Sequence, residues 1–329
     1  MLKEIIDEIS KKAESAEGSR PVFQGKEYTP IEFSKANYTA IENAEGKTLI
    51  FVDGGNTEII SAPGLSLQLA RTAAVEMKNN KLQKSTRKEF YILATAEEKE
   101  GKMTATAKIY DSQGNKEETE ANYTNREALQ KLCESIRKRA EIKMATEATK
   151  ENAITVLDGT LEAENEMERK ELEELYETAE RKNTILAAVA KTTTLLTEKG
   201  NPFGAMLLQK GPEKSWQYHP VAEISNKKHK ADILFAKLHE KSRHAFRIEV
   251  YNRQNEKIPE LAAELSENSK EITFPGYPYG LIIADKMARI SEKETEYIKA
   301  KIAATAGKKW EAIGRSLSAA NAHEILDGI

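Results

Sequence analysis

Two short segments constrain the fold of this chain most, because each is an apolar run that ends in an aspartate followed by glycine. The first, TLIFVDGG, places Asp53 before Gly54 and Gly55, and the second, ITVLDGTL, places Asp158 before Gly159. Such runs predict buried strands that end at the aspartate, and the glycines let a ligand approach the carboxylate closely. A single D-G pair is more often a turn. Found twice, the pattern predicts neighbouring carboxylates that share divalent cations for phosphodiester hydrolysis.

The periodicity of apolar residues predicts an α/β fold with a mixed sheet flanked by helices. A meander of strands followed by alternating helix and strand is the order of a ribonuclease-H-like sheet. The predicted strands are 48–55, 66–77, 89–96, 103–110, 154–161, 184–192, 202–209, 220–225 and 245–251. The predicted helices are 1–16, 125–149, 164–182 and 291–303.

The length of 329 residues predicts one globular unit with appended segments. We expect an N-terminal helical arm over 1–47, a ribonuclease-H-like domain over 48–300 and a C-terminal helical tail over 301–329. The first helix carries Leu2, Ile5, Ile6 and Ile9 at helical spacing, which is typical of an arm or a dimer element.

Composition narrows the class of protein. No apolar run approaches the roughly 20 residues of a membrane helix, and the charged N-terminal segment does not resemble a signal peptide, so a cytoplasmic protein is expected. The single cysteine, Cys133, excludes an internal disulfide and a zinc site built from several cysteines. The five histidines show no metal-binding spacing. A net charge of −3 gives no strongly basic signature, although a nuclease needs only a local basic track.

Further carboxylates are needed for a metal site, and the sequence offers several. Glu141 lies in the helix before the strand of Asp158, where it competes with Glu134, and each taken alone is typical of a solvated helix surface. Asp285 lies in the apolar segment LIIADKMA, so it needs a metal, a basic partner or the N-cap of a helix. Lys191 follows the apolar strand LAAVA and either balances the carboxylates and holds a phosphate, or lies at a solvated edge.

Taken in order, these segments resemble the NurA nuclease family over residues 48–295. The family motifs are short, but six of them occur here in the family's order. The matching residues are Phe51 to Gly55 for D-G-S/G, Arg137, Glu141 and Ala145 for R-x-x-x-E-x-x-x-A, Leu157 to Leu161 for L-D-G-x-L, Val189 and Lys191 for V-x-K, Arg247 and Glu249 for R-x-E, and Gly276 to Pro278, Leu281 and Ala284 for G-Y-P-x-x-L-x-x-A.

The resemblance implies a ribonuclease-H-like fold and cleavage of single-stranded DNA and duplex ends with Mn²⁺ or Mg²⁺, in the end resection of double-strand breaks. It also implies a homodimer that docks on a hexameric HerA-type ATPase. On this basis Asp53, Glu141 and Asp158 are the expected metal ligands. Asp285 stands where family members commonly carry a histidine, which leaves it a candidate fourth ligand and puts a general-base role in doubt. The role of Asp232, which the family often places before a leucine-rich helix, stays open.

Two other functions fit parts of the sequence. The segment from Asp53 to Thr57 satisfies the D-x-G-x-T pattern of actin-like and sugar-kinase-like phosphotransferases, but the second phosphate loop and the late Gly-Gly motif of those enzymes are not evident. The other alternative is a non-catalytic dimeric scaffold in which the carboxylates serve as caps and turns.

Overall fold

The computed structural model describes residues 1–14, 18–111, 113–271 and 273–320. Within these ranges the chain forms fifteen strands, eight α-helices and two short 3-10 helices. The strands are β1 (Pro21–Val22), β2 (Tyr28–Pro30), β3 (Tyr38–Ala40), β4 (Leu49–Ala62), β5 (Leu65–Lys78), β6 (Lys81–Lys99), β7 (Lys102–Asp111), β8 (Lys116–Asn122), β9 (Ile154–Asp158), β10 (Ile185–Ala190), β11 (Leu196–Thr197), β12 (Trp216–Tyr218), β13 (Ala222–Ile224), β14 (Ala231–Lys237) and β15 (Phe246–Tyr251). The helices are α1 (Leu2–Glu14), α2 (Arg126–Ala148), α3 (Glu166–Arg181), α4 (Phe203–Lys210), α5 (Ile258–Glu267), α6 (Tyr279–Ala288), α7 (Glu292–Ala306) and α8 (Lys309–Ala320).

Eleven of the strands form one mixed sheet, in the order β3-β12-β14-β15-β10-β9-β4-β5-β6-β7-β8. Strand β9 runs parallel to β4 on one side and to β10 on the other. The pairs β10–β15, β14–β15, β6–β7 and β7–β8 are antiparallel. The expected mixed α/β sheet flanked by helices is therefore confirmed.

The chain divides into two compact units, and the first comprises Met1–Val52, Ala74–Ser85 and Ile142–Ala284. Its central strands β9 and β10 are continuous apolar runs, which is the pattern of parallel strands covered on both faces. Leu172, Leu175 and Ala179 of α3 pack on these strands in one buried cluster. These three residues recur at helical spacing, so the acidic remainder of α3 is left to face water.

The second unit comprises Asp53–Ala73, Thr86–Glu141 and Asp285–Ile329. The small residues Ala94, Ala105 and Ala107 of β6 and β7 share a buried cluster with Cys133 and Ile136 of α2. Small side chains on the sheet let the helix backbone come close to it. Burial of Cys133 raises the pKa of its thiol to about 12, which is the state of a packed cysteine.

Several predicted elements differ in the structure. The segment 202–209, predicted as a strand, is helix α4, because its buried residues Phe203, Met206 and Leu207 follow helical spacing. Asp232 lies in strand β14 and does not precede a helix. The predictions for residues 15 and 16 and for the tail beyond 320 lie outside the described residues. No helix within the described ranges is long and apolar enough to span a membrane.

Candidate active site

The register of two parallel strands determines where Asp53 and Asp158 stand. Strands β4 and β9 are paired up to Val52 opposite Leu157, and the two aspartates are the next residues along their strands. Asp158 ends β9, as predicted. The prediction that β4 ends at Asp53 was wrong, because the strand continues to Ala62, although its first run of buried residues ends at Asp53. At Asp53 the strand therefore continues, but the residues that follow directly are less buried.

This continuation of β4 also bears on the phosphotransferase alternative. The residues from Asp53 to Thr57 are extended strand, so the D-x-G-x-T pattern does not form a phosphate-binding loop here. A side chain at Gly55 would meet the carbonyl oxygen of Ala288 at 2.8 Å, so the strand accepts only glycine at this point. Gly55 therefore allows close packing against the backbone of Ala288, and this explains the glycine without a bound nucleotide.

In the second unit, helix α2 places Glu141 beside the strand residue Gly54. Glu141 is only 1% exposed, and it pairs with Arg137 at 2.5 Å and with Lys138 at 3.2 Å. Arg137 also donates a hydrogen bond to the carbonyl oxygen of Gly54. A side chain at Gly54 would lie 3.2 Å from the Glu141 carboxylate, so glycine is what lets this helix come so close. The competing residue Glu134 is exposed and accepts a hydrogen bond from its neighbour Gln130 on the same helix.

In the first unit, Asp158 is held by two groups from distant parts of the chain. Lys191, which follows β10, lies 3.0 Å from one carboxylate oxygen, and the Tyr277 hydroxyl donates to the other at 3.2 Å. Strand pairing places Val189 opposite Asp158, so Lys191 emerges from the neighbouring strand close to the aspartate. Tyr277 is buried, so it is a core residue whose hydroxyl finds a hydrogen-bond partner.

Asp285 lies in the second unit and is half-buried. It is the seventh residue of helix α6, which begins at Tyr279. Its carbonyl oxygen accepts a hydrogen bond from the backbone N–H of Arg289, as expected inside a helix. An N-cap residue precedes the first turn. The N-cap alternative for Asp285 is therefore wrong.

A buried ion cluster on β15, the strand that pairs with β10, was not identified from the residues alone. Glu249 of β15 is fully buried. Its carboxylate accepts a hydrogen bond from the backbone N–H of Leu161 at 2.7 Å. It also pairs with His229 at 2.9 Å and with Arg247 at 2.5 Å. The backbone at Leu161 belongs to the turn that follows Asp158, so Glu249 holds that turn in place. The one sequence signal is a charged residue at an apolar position of a strand, R-x-E in FRIEVY.

The donor chemistry of the candidate residues suits a hard divalent cation, which prefers carboxylate oxygens. Within the described part of the chain, however, no three acidic, histidine or cysteine side chains form a ready-made metal site. The carboxylates of Glu141 and Asp158 are instead neutralised by basic side chains of the protein. Buried carboxylates are paired in this way because an unpaired buried charge is costly.

Comparison with known proteins identifies the family. A family model of the NurA domain matches residues 47–290. The chain belongs to the NurA family. The NurA nuclease from Sulfolobus solfataricus is 14% identical, with a TM-score of 0.56 over 94% of this chain and 95% of that one. No curated protein sequence matches the chain.

Weaker structural matches include the catalytic domain of human endonuclease V, which is 14% identical with a TM-score of 0.38 over 82% of this chain and 92% of that one. The Argonaute of A. aeolicus is 10% identical with a TM-score of 0.35 over 76% of this chain and 29% of that one. The likeness to the Sulfolobus NurA structure establishes the fold of this family member. The ribonuclease-H-like α/β fold expected from the sequence is thereby confirmed.

Proposed function

We propose that this NurA family member is a divalent-metal-dependent nuclease that hydrolyses phosphodiester bonds of single-stranded DNA and of DNA ends. One observation carries the proposal: Asp53 and Asp158 directly follow the last paired residues of two neighbouring parallel strands. In α/β sheets, ligands bind beyond the carboxyl ends of such strands. The solved structure from Sulfolobus solfataricus that shares the fold is a NurA nuclease.

The residues proposed to hold Mn²⁺ or Mg²⁺ are Asp53, Glu141 and Asp158, with Asp285 as a candidate fourth ligand. When bound, such ions lower the pKa of a water molecule and stabilise the leaving oxygen. Lys191 contacts Asp158 at 3.0 Å and carries a positive charge that suits a phosphate. Burial of Glu141 excludes water from its carboxylate and strengthens its electrostatic interactions.

Family membership also supports a cellular setting for the activity. We propose that the chain acts in the end resection of double-strand breaks as a homodimer, together with a HerA-type hexameric ATPase. The motivating finding is the match of residues 47–290 to the NurA domain. A pull-down with a purified HerA-type ATPase tests this part, and no association at micromolar concentrations would count against it.

The test of the nuclease proposal is degradation of labelled single-stranded DNA with Mn²⁺ and with EDTA. We expect cleavage only with the metal, and Asp53→Asn, Asp158→Asn and Glu141→Gln should each lower the rate at least about a hundredfold, because each removes an anionic ligand. Glu134→Gln on the same helix is the matched control, since Glu134 is exposed. The proposal is wrong if the wild type stays inert with Mn²⁺ even when a HerA-type ATPase is supplied.

A further inference from the structure

The most concentrated positive charge in this chain lies in the segment 78–88, which reads KNNKLQKSTRK. It holds five basic residues and no acidic residue, although the whole chain has a net charge of −3. The segment forms the turn and the adjoining strand of the β5–β6 hairpin, with Lys78 at the end of β5 and Lys81 at the start of β6. We refer to residues 78–88 as the basic hairpin.

Three lysines of the basic hairpin present uncompensated charge to solvent. Lys78, Lys81 and Lys84 are exposed, and within the described ranges none of them forms an ion pair with an acidic side chain. Nearby cations behave differently, since Arg87 pairs with Glu89 and Lys150 with Glu76. The three ammonium groups are therefore available to an anionic partner.

The turn that carries these lysines is fixed to the rest of the first unit. Asn79 and Asn80 have φ of +50° and +57°, the conformation of a two-residue hairpin turn that asparagine tolerates well. The Asn80 amide donates to the carbonyl oxygen of Glu267, and the Asn268 amide donates to the Asn80 side chain at 3.0 Å. These hydrogen bonds hold the turn in place between Lys78 and Lys81. The two lysines stay close together although like charges on facing strands repel each other.

Protection of a strand edge is the simplest alternative explanation for these lysines. Strand β7 pairs with β6 only from Phe90 to Lys99, so the part of β6 from Lys81 to Glu89 extends beyond that pairing. Charged residues at such an edge discourage the addition of another strand. Lys78, however, lies on β5, an interior strand with β4 and β6 on its two sides. Edge protection therefore accounts for Lys81 and Lys84 but not for Lys78.

We infer that the basic hairpin binds the phosphate backbone of the DNA substrate. The inference rests on the proposed nuclease function, which supplies a polyanionic substrate, and it assigns a DNA contact to residues other than those proposed to cleave. Lysine ammonium groups contact phosphates without reading bases, and the exposed Ser85 beside Lys84 adds a neutral hydroxyl donor. Binding at the basic hairpin is therefore independent of sequence and sensitive to salt.

The test is fluorescence anisotropy of a labelled single-stranded oligonucleotide in EDTA, with salt varied from about 50 to 200 mM. The variant carries Lys78→Gln, Lys81→Gln and Lys84→Gln. Each lost phosphate contact should reduce the slope of log affinity against log salt by about 0.7, so the slope should become shallower by about 2. The control carries Lys26→Gln, Lys35→Gln and Lys214→Gln, three exposed lysines that each have a glutamate within three residues. It should retain the wild-type slope.

A second variant with Lys78→Glu, Lys81→Glu and Lys84→Glu separates DNA binding from edge protection, because it keeps the edge charged. We expect it to bind DNA even more weakly than the glutamine variant, and light scattering should show no aggregation. Wild-type affinity in either variant would overturn the inference while leaving the nuclease proposal intact, provided that the wild type binds and cleaves DNA. Failure of the wild type to bind or cleave any DNA would overturn both.

Discussion

At Glu249, burial and ion pairing act in opposite directions on a single carboxyl group. Burial raises its pKa, but the neighbouring His229 and Arg247 and the N–H of Leu161 lower it further, to about 2. The ordinary pKa of an unfolded glutamate is about 4.3. Because the folded value is the lower one, the ionised group stabilises the fold above pH about 4.3, and this contribution is lost as the pH falls towards 2.

Replacement of this residue by Glu249→Gln should lower the free energy of unfolding at pH 7 by about 3–5 kcal/mol, because Arg247 loses its buried partner. The difference from the wild type should shrink as the pH falls from about 4.5 to about 2. Urea denaturation at a series of pH values measures both effects. Glu240→Gln, at an exposed glutamate, is the control. A difference that stays constant with pH would contradict the assigned ion cluster.

The sequence revealed the candidate site only in part, for a physical reason. Asp53 and Asp158 are recognisable because an apolar run directly precedes each of them. Glu141 could be chosen over Glu134 only through the family resemblance, since both lie among charged residues of one helix. Two of the three partners of Glu249, His229 and Leu161, lie 20 and 88 residues away in the chain. Such contacts exist only after the sheet has formed, so local patterns do not contain them.

Among the elements, helix α6 lies unusually close to strand β4. A side chain at Gly280 would come within 1.9 Å of the ring of Phe51, which is fully buried. Gly280→Ala should therefore destabilise the protein by about 1–3 kcal/mol, the usual range for overpacking a core. Thermal and urea unfolding measure the change.

The same substitution in helix α8 provides a matched control of opposite sign. Gly314 has no atom within 4 Å of the position that a side chain would occupy. Gly314→Ala should stabilise the protein by about 0.5–1 kcal/mol through helix propensity. A change of stability in the same direction for both variants would contradict the close contact between α6 and β4 at Gly280.

The elements also show where periodicity fails as a guide. Strand β8, with the sequence KEETEAN, was not predicted, because it lies at the edge of the sheet and carries no alternating apolar residues. Backbone pairing with β7 defines it instead. The strand predicted over 202–209 was wrong for the opposite reason, because a short apolar run fits a strand and a buried helix equally well. The central strands β9 and β10 were predicted correctly because burial on both faces leaves an unambiguous apolar run.

At the scale of the whole molecule, helix α1 presents an apolar face that stays exposed among the described residues. Leu2, Ile5, Ile6 and Ile9 are between 45% and 70% exposed. A helix of 13 residues is marginal in water unless its apolar face is covered. A second copy of the chain is the cover that the proposed homodimer would supply.

We therefore expect Ile6→Gln with Ile9→Gln to shift the protein from dimer towards monomer in sedimentation velocity. The control, Glu4→Gln with Glu8→Gln, changes two exposed residues of the same helix and should leave the mass unchanged. The prediction that α1 forms the dimer interface would be wrong if the wild type sedimented as a monomer. It would also be wrong if the isoleucine variant remained a dimer.

The ion pairs of Glu141 and Asp158 have a consequence for how such a site would be loaded. Their carboxylates already carry Arg137, Lys138 and Lys191 as internal counterions. A divalent ion that takes these oxygens must displace a basic side chain, so loading is an exchange of one cation for another. The displaced side chains, positively charged throughout, would lose their carboxylate partners at the moment when a phosphate needs cationic ones. Metal and DNA would then bind with positive linkage, each raising the affinity of the protein for the other.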